Sequence, residues 1–128
     1  MNERDFRSLF ARERARFARH YPRVAQTMLL ISQEEHGTHY RDVAYSSTVG
    51  KKPAVVFVSR ALRFDRGRLV AIVRHELAHC CNMRLSERDT DRLAERIGGE
   101  QIWYDRMDLQ TVTPKRGAKR VRPEYLHQ

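Results

Sequence analysis

Five residues constrain this chain more than any others: His75-Glu76-Leu77-Ala78-His79. Residues four apart share one face of a helix, so a helical reading of this stretch aims both imidazoles the same way. Two neutral imidazoles so placed supply half of a tetrahedral shell for one zinc ion. Glu76 directly follows the first histidine and can reach a water on the open side of that shell. Zinc lowers the pKa of such a water to about 7, and a carboxylate beside it can take the proton and deliver hydroxide to a carbonyl.

The flanks supply the elements such a site needs. Asp65 is placed as an N-cap, and Leu69, Ile72 and Val73 form an apolar stripe leading into His75, which predicts a helix from Asp65 to about Asn82. Ala54-Val55-Val56-Phe57-Val58, β-branched and aromatic, is the best strand candidate. Downstream, Ser86-Glu87-Arg88-Asp89 is a capping-box-like start and Gly98-Gly99 a stop, predicting a second helix over Glu87 to Ile97. Its Glu87 and Asp91 share a face, while Leu93, Ala94 and Ile97 can pack on the first helix. Acids in a first turn also complement the helix dipole with no metal present. Asn82 suits the left-handed conformation that a helix end often requires.

At these residues the chain resembles a known group. His75-Glu76-Leu77-Ala78-His79 followed by Ser86-Glu87-Arg88-Asp89-Thr90-Asp91-Arg92-Leu93-Ala94 looks like a gluzincin-type metallopeptidase, over roughly residues 53 to 99. That group carries a Glu third ligand within Glu-x-x-x-Asp on a second helix. The resemblance implies His75, His79 and Glu87 as ligands of one Zn2+ per chain and Glu76 as general base. It implies Asp91 as the carboxylate that holds an imidazole N–H and fixes its tautomer. Seven residues separate His79 from Glu87, fewer than in the large gluzincins, so Asp89 and Asp91 compete with Glu87 for the third position. A metzincin pattern does not fit, because Asn82 stands where its Gly would be and Leu85 where its third His would be. The fold implied is α+β and zincin-like: helices packed on a small, mostly antiparallel sheet, with the motif on the central helix. The activity implied is that of a zinc metalloendopeptidase acting on a protein substrate. Minimal cytoplasmic forms of this kind include ImmA/IrrE-type proteases, which cleave repressors, and SprT-like proteases, which act on DNA-bound proteins.

A length of 128 residues suits one domain with a single core, here read as residues 1–112, followed by a basic tail over 113–128. No run approaches the ~20 apolar residues of a membrane span. The start, Met1 to Arg7, is too charged for a secretory signal. The two cysteines, Cys80 and Cys81, are adjacent and so form no ordinary disulfide; half-buried thiols are the plain reading and metal ligation the lesser one. Together these features point to a reducing, cytoplasmic setting with no membrane partner. The formal net charge is +9. Its excess lies at the ends, where an Arg-rich helix and the tail suit association with nucleic acid or acidic partners.

Residues 3 to 20 read as an amphipathic helix, with Phe6, Leu9, Phe10, Phe17 and Tyr21 near one face and Arg4, Arg7, Arg12, Arg14, Arg16 and Arg19 on the rest. Val24 to Ile31 reads as helix, although Met28 to Ile31 alone would also serve as a buried strand. Gln33 to Tyr40 is a polar turn holding His36 and His39, more simply solvent-facing imidazoles than a second metal site. Asp42 to Val49 and Ala54 to Ser59 form a hairpin around Gly50-Lys51-Lys52-Pro53. The resemblance implies that a strand in this region edges the cleft and accepts an extended peptide by strand addition. Ile102-Trp103-Tyr104 reads as a short strand or apolar clasp. Tyr104, Tyr45, Tyr40 and His39 are candidate hydrogen-bond donors to an oxyanion.

The same residues also suit a zinc-stabilised module that binds nucleic acid or a protein and cleaves nothing. Glu76 speaks against it, since a structural site needs no base and fills its fourth position with protein. The shortness of the chain, which leaves no obvious substrate-binding lobe, speaks for it.

Overall fold

The computed structural model describes residues 1–33 and 43–99, and within them three helices pack on a three-stranded sheet. Helix α1 (Glu3–Ala18) starts at Asn2, whose side chain accepts the Asp5 N–H, and buries Phe6, Leu9, Phe10 and Phe17 as its apolar stripe predicts. Pro22 then opens a short 3-10 turn, Pro22–Gln26, and strand β1 (Met28–Ser32) follows. The helix expected over Val24 to Ile31 is therefore not formed. Thr27 is extended, and the four apolar residues after it gain a backbone partner strand that a helix end would not supply. So short an apolar run does not reveal its own period.

Strand β2 (Ala44–Val49) and strand β3 (Lys52–Val58) form the expected antiparallel hairpin, and β1 joins the far side of β3 in parallel, giving the order β1-β3-β2. The link is tighter than the sequence suggested. Only Gly50 and Lys51 lie between the strands, with Gly50 at φ 64°, and a two-residue hairpin takes glycine at its first loop position for that reason. Pro53 consequently sits inside β3. The Val58 N–H donates to Val43 O at 2.9 Å, and in an antiparallel ladder such bonded pairs alternate with unbonded ones. Pro53, opposite Thr48, falls on an unbonded pair, and the ladder with β1 starts only at Ala54, so the missing N–H forfeits no bond.

Helix α2 (Arg66–Cys81) carries the motif. Asp65 caps it by accepting the Arg68 N–H at 2.8 Å, and Leu69, Ile72, Val73 and Leu77 are buried. Asn82 ends it in an extended conformation (φ −156°) rather than the left-handed one expected, because its side chain is used to accept the Arg84 N–H at 3.0 Å. Helix α3 (Glu87–Gly98) begins as the sequence indicates, with Ser86 Oγ accepting the Asp89 N–H at 3.1 Å. Phe6 meets Phe57 edge-on at 4.8 Å between centroids, joining α1 to the helix-facing side of the sheet. Among the described residues, no helix is long and apolar enough to cross a membrane.

A buried ion pair joins α1 to α2, and the end of α3 packs against it. Arg74 of α2 donates to both carboxylate oxygens of Glu13 on α1, each at 3.1 Å, and both residues are buried. Arg16 donates to the Gly98 carbonyl at 3.1 Å, which ties the end of α3 to α1. Gly98 lies flat against the Arg74 side chain: a Cβ there would stand 2.7 Å from Arg74 Cδ. The two adjacent glycines thus serve different ends, since Gly99 takes φ 79° with open space around it and Gly98 makes room for a guanidinium that cannot swing away.

Alanine normally gains up to about 1 kcal/mol over glycine inside a helix. At position 98 the crowding should reverse the sign, and Gly98→Ala is expected to cost about 1–3 kcal/mol in urea denaturation. Joined to Arg74→Ala, the cost of Gly98→Ala should largely vanish; simple additivity of the two would contradict the packing described.

Candidate metal centre

Helix α2 places His75 and His79 one turn apart on the side facing α3, and α3 starts where its first two turns oppose them. Glu87, in the first turn, sends its carboxylate between the imidazoles: Oε2 is 2.8 Å from His75 Nε2, and Oε1 is 3.0 Å from His79 Nε2. The two Nε2 atoms are 3.0 Å apart. One ligand atom from each of His75, His79 and Glu87 lies within 4.8 Å of the others, a group that could hold a metal ion.

The tautomers explain why this group suits a cation. One turn further along α3, Asp91 is buried and its Oδ1 is 2.7 Å from His75 Nδ1, so His75 donates its Nδ1–H there and turns the Nε2 lone pair toward the cluster. Thr90 Oγ1 donates to the Ser86 carbonyl at 2.8 Å and stands 3.5 Å from His79 Nδ1, placed to accept its N–H. With both Nδ1 atoms carrying hydrogen, two nitrogen lone pairs and a carboxylate converge on one point. Such a set of acceptors is mutually repulsive unless protons or a metal ion sit among them.

Protonation follows from the same geometry. Burial alone would depress the His75 imidazolium, but the hydrogen bonds to Asp91 and Glu87 and the charges of Glu76 and Glu87 prevail, and its pKa is pushed up to about 10. The hydrogen bonds from His75 and His79 hold the Glu87 carboxyl well below its usual range, against the opposing effect of burial. Glu76 projects from the same turn and is buried; burial pushes its carboxyl up, opposed by the two imidazoles and by a hydrogen bond with Ser46 of β2. A carboxylate held between a proton-favouring burial and charge-favouring neighbours is suited to carrying a proton.

The other candidates separate clearly. Asp89 is exposed and nearest a cation at Arg92 (4.0 Å), outside the cluster, and Asp91 touches Nδ1 rather than the converging Nε2 atoms. Tyr45 neighbours Ser46 on β2, so its side chain leaves the opposite face of the sheet from the one meeting Glu76, away from the place an oxyanion donor would need. His39, Tyr40, Tyr104, the His36–His39 pair and the basic tail lie outside the described residues. Cys80 and Cys81 are free and half-buried, are not in the metal group, and have thiols pushed up to about 12, chiefly by burial. A cavity of about 780 Å³ bounded by Tyr21, Leu85, Leu93 and Arg96 touches none of the three ligand residues. Ser46 and Thr90 are the site residues the sequence reading missed; a serine at a sheet position facing the helix was the one available sign of the first.

Comparison with protein-family models, with curated proteins and with solved structures finds no match to this chain.

The metal-free form should show a distinctive pH profile. Because the folded pKa of His75 lies above the ordinary 6.5, its contribution to stability is complete below about 6.5 and lost as pH rises through about 10. The melting temperature of metal-free protein should fall over that interval, and the fall attributable to this site should be absent in His75→Gln. A metal at Nε2 must expel the proton, so the loaded form should be flatter. Identical profiles for wild type and His75→Gln without metal would contradict the assignment.

Proposed function

We propose that this chain is a zinc-dependent metallopeptidase of minimal zincin type, with His75, His79 and Glu87 as metal ligands and Glu76 as general base. The observation that carries the proposal is the convergence of His75, His79 and Glu87 with a buried Glu76 in the same turn. A purely structural metal site has no use for that last carboxylate. The donor set, two imidazoles and a carboxylate, suits zinc and leaves a coordination position for substrate chemistry. Bound there, zinc supplies Lewis acidity that polarises a carbonyl and acidifies water.

The chain's own residues do the rest. Glu76 takes a proton from water as the oxygen adds to the scissile carbonyl carbon, and returns it to the nitrogen as the C–N bond breaks. Ser46 orients that carboxylate, and Asp91 and Thr90 orient the imidazoles. Strand β2 offers a place for the substrate backbone. The alternation fixed by Val43 and Val58 turns the N–H and C=O groups of Ala44, Ser46 and Thr48 away from β3, and among the described residues β2 is an edge. An extended peptide adding there lies beside Ser46 and hence beside Glu76.

Glu76→Gln should retain about one zinc per chain and lose at least ~10²-fold in hydrolysis of an unfolded protein substrate. Asp91→Ala should weaken zinc by about 10–100-fold, and Glu87→Ala by more. Wild-type protein that binds zinc but cleaves nothing, at any level above Glu76→Gln, would favour instead the non-catalytic zinc-stabilised module.

A further inference from the structure

From Arg14 to Gln33, and again from Val43 to Phe64, the chain contains no carboxylate. The first run carries Arg14, Arg16, Arg19, His20 and Arg23, and the second Lys51, Lys52, Arg60 and Arg63. Several of these are engaged internally: Arg14 donates to Thr27 O at 2.9 Å, Arg16 to Gly98 O, and Arg60 is buried. Arg23 donates to Lys51 O at 2.9 Å, which draws the turn after α1 against the β2–β3 turn. A carbonyl does not neutralise a guanidinium, so Arg23 keeps its charge there. Arg23, Lys51 and Lys52, all exposed, therefore gather at one end of the sheet.

That basic end continues β2, which is an edge strand among the described residues. Ser46 meets Glu76, and Val49, three residues on, pairs with Lys52. At about 3.3 Å per residue, the lysines begin roughly 10 Å along the strand from the level of Glu76. A peptide laid on the edge would reach them about three or four residues from the bond beside Glu76.

We infer that the cleft takes extended segments bearing Asp or Glu three or more residues from the scissile bond, on the hairpin side, and that Lys51, Lys52 and Arg23 determine this preference. The inference rests on the peptidase reading for which bond is scissile; the binding preference itself does not need cleavage. Nucleic acid fits the same charge but not the adjoining edge, whose outward N–H and C=O groups at Ala44, Ser46 and Thr48 match a peptide backbone and not a phosphodiester.

The test uses zinc-loaded Glu76→Gln, which does not consume its ligand, and two labelled decapeptides of equal length, one neutral and one with three consecutive acidic residues near one end. Anisotropy should give at least about tenfold tighter binding of the acidic peptide, with the gap shrinking as salt rises. Lys51→Glu/Lys52→Glu in the same background, with unchanged circular dichroism, should abolish that gap. Equal affinity for the two peptides, or a preference that survives in the Lys51→Glu/Lys52→Glu protein, would overturn the inference. So would single-stranded DNA of matched charge binding tighter than the acidic peptide, which would make the end a general polyanion surface. Cleavage by zinc-loaded wild type is scored separately. An intact acidic preference with no cleavage would remove the peptidase reading and leave the recognition of acidic segments standing.

Discussion

The contact between Asp91 and His75 is the interaction on which the rest of the site depends. It spans α3 and α2, is buried, and at 2.7 Å commits the His75 Nδ1–H to one partner. With that proton fixed, the Nε2 lone pair has one direction, and His79 and Glu87 converge on the same point. The cost is that acceptors are crowded together in a partly desolvated place. Such an arrangement persists only if something positive occupies it, a proton in the metal-free chain or a divalent ion in the loaded one.

Holding α3 in register requires a second anchor, because a helix fixed only at its first turn can still pivot. The Glu13–Arg74 pair and the Gly98 contact provide it at the other end. A buried ion pair adds little net stability, since desolvation offsets most of the Coulomb gain, but breaking one by removing a single partner typically costs about 3–5 kcal/mol. Its role here is geometric. Arg74 immediately precedes His75, so the residue that seats the end of α3 and the residue that meets its beginning are neighbours on one helix.

Much of this was legible in the sequence, and for identifiable reasons. The motif helix, its Asp65 cap, the Ser86 cap of the next helix and the apolar stripe of α1 are local patterns that spacing alone fixes. Glu87 and Asp91 could be placed on a common face, but which of Glu87, Asp89 and Asp91 reaches the imidazoles depends on how two helices cross, and no periodicity encodes that. The helix expected over Val24 to Ile31 gives way because the conformation of Met28 to Ile31 is decided by pairing with β3, a contact more than twenty residues away in sequence. Arg14 and Arg16 read as members of a basic helix face, and Arg74 carries no sign of its own. Their partners are backbone carbonyls and a glutamate distant in sequence, so their inward roles appear only with the packing.

Whether His75, His79 and Glu87 bind zinc is decided by the metal content of protein purified without added metal, by elemental analysis, beside His75→Ala. About one zinc per chain is expected in the wild type, and its loss in the variant, with both folded. No metal in the wild type and none taken up on titration with zinc would contradict it, and the convergence of His75, His79 and Glu87 would then be held together by protons alone.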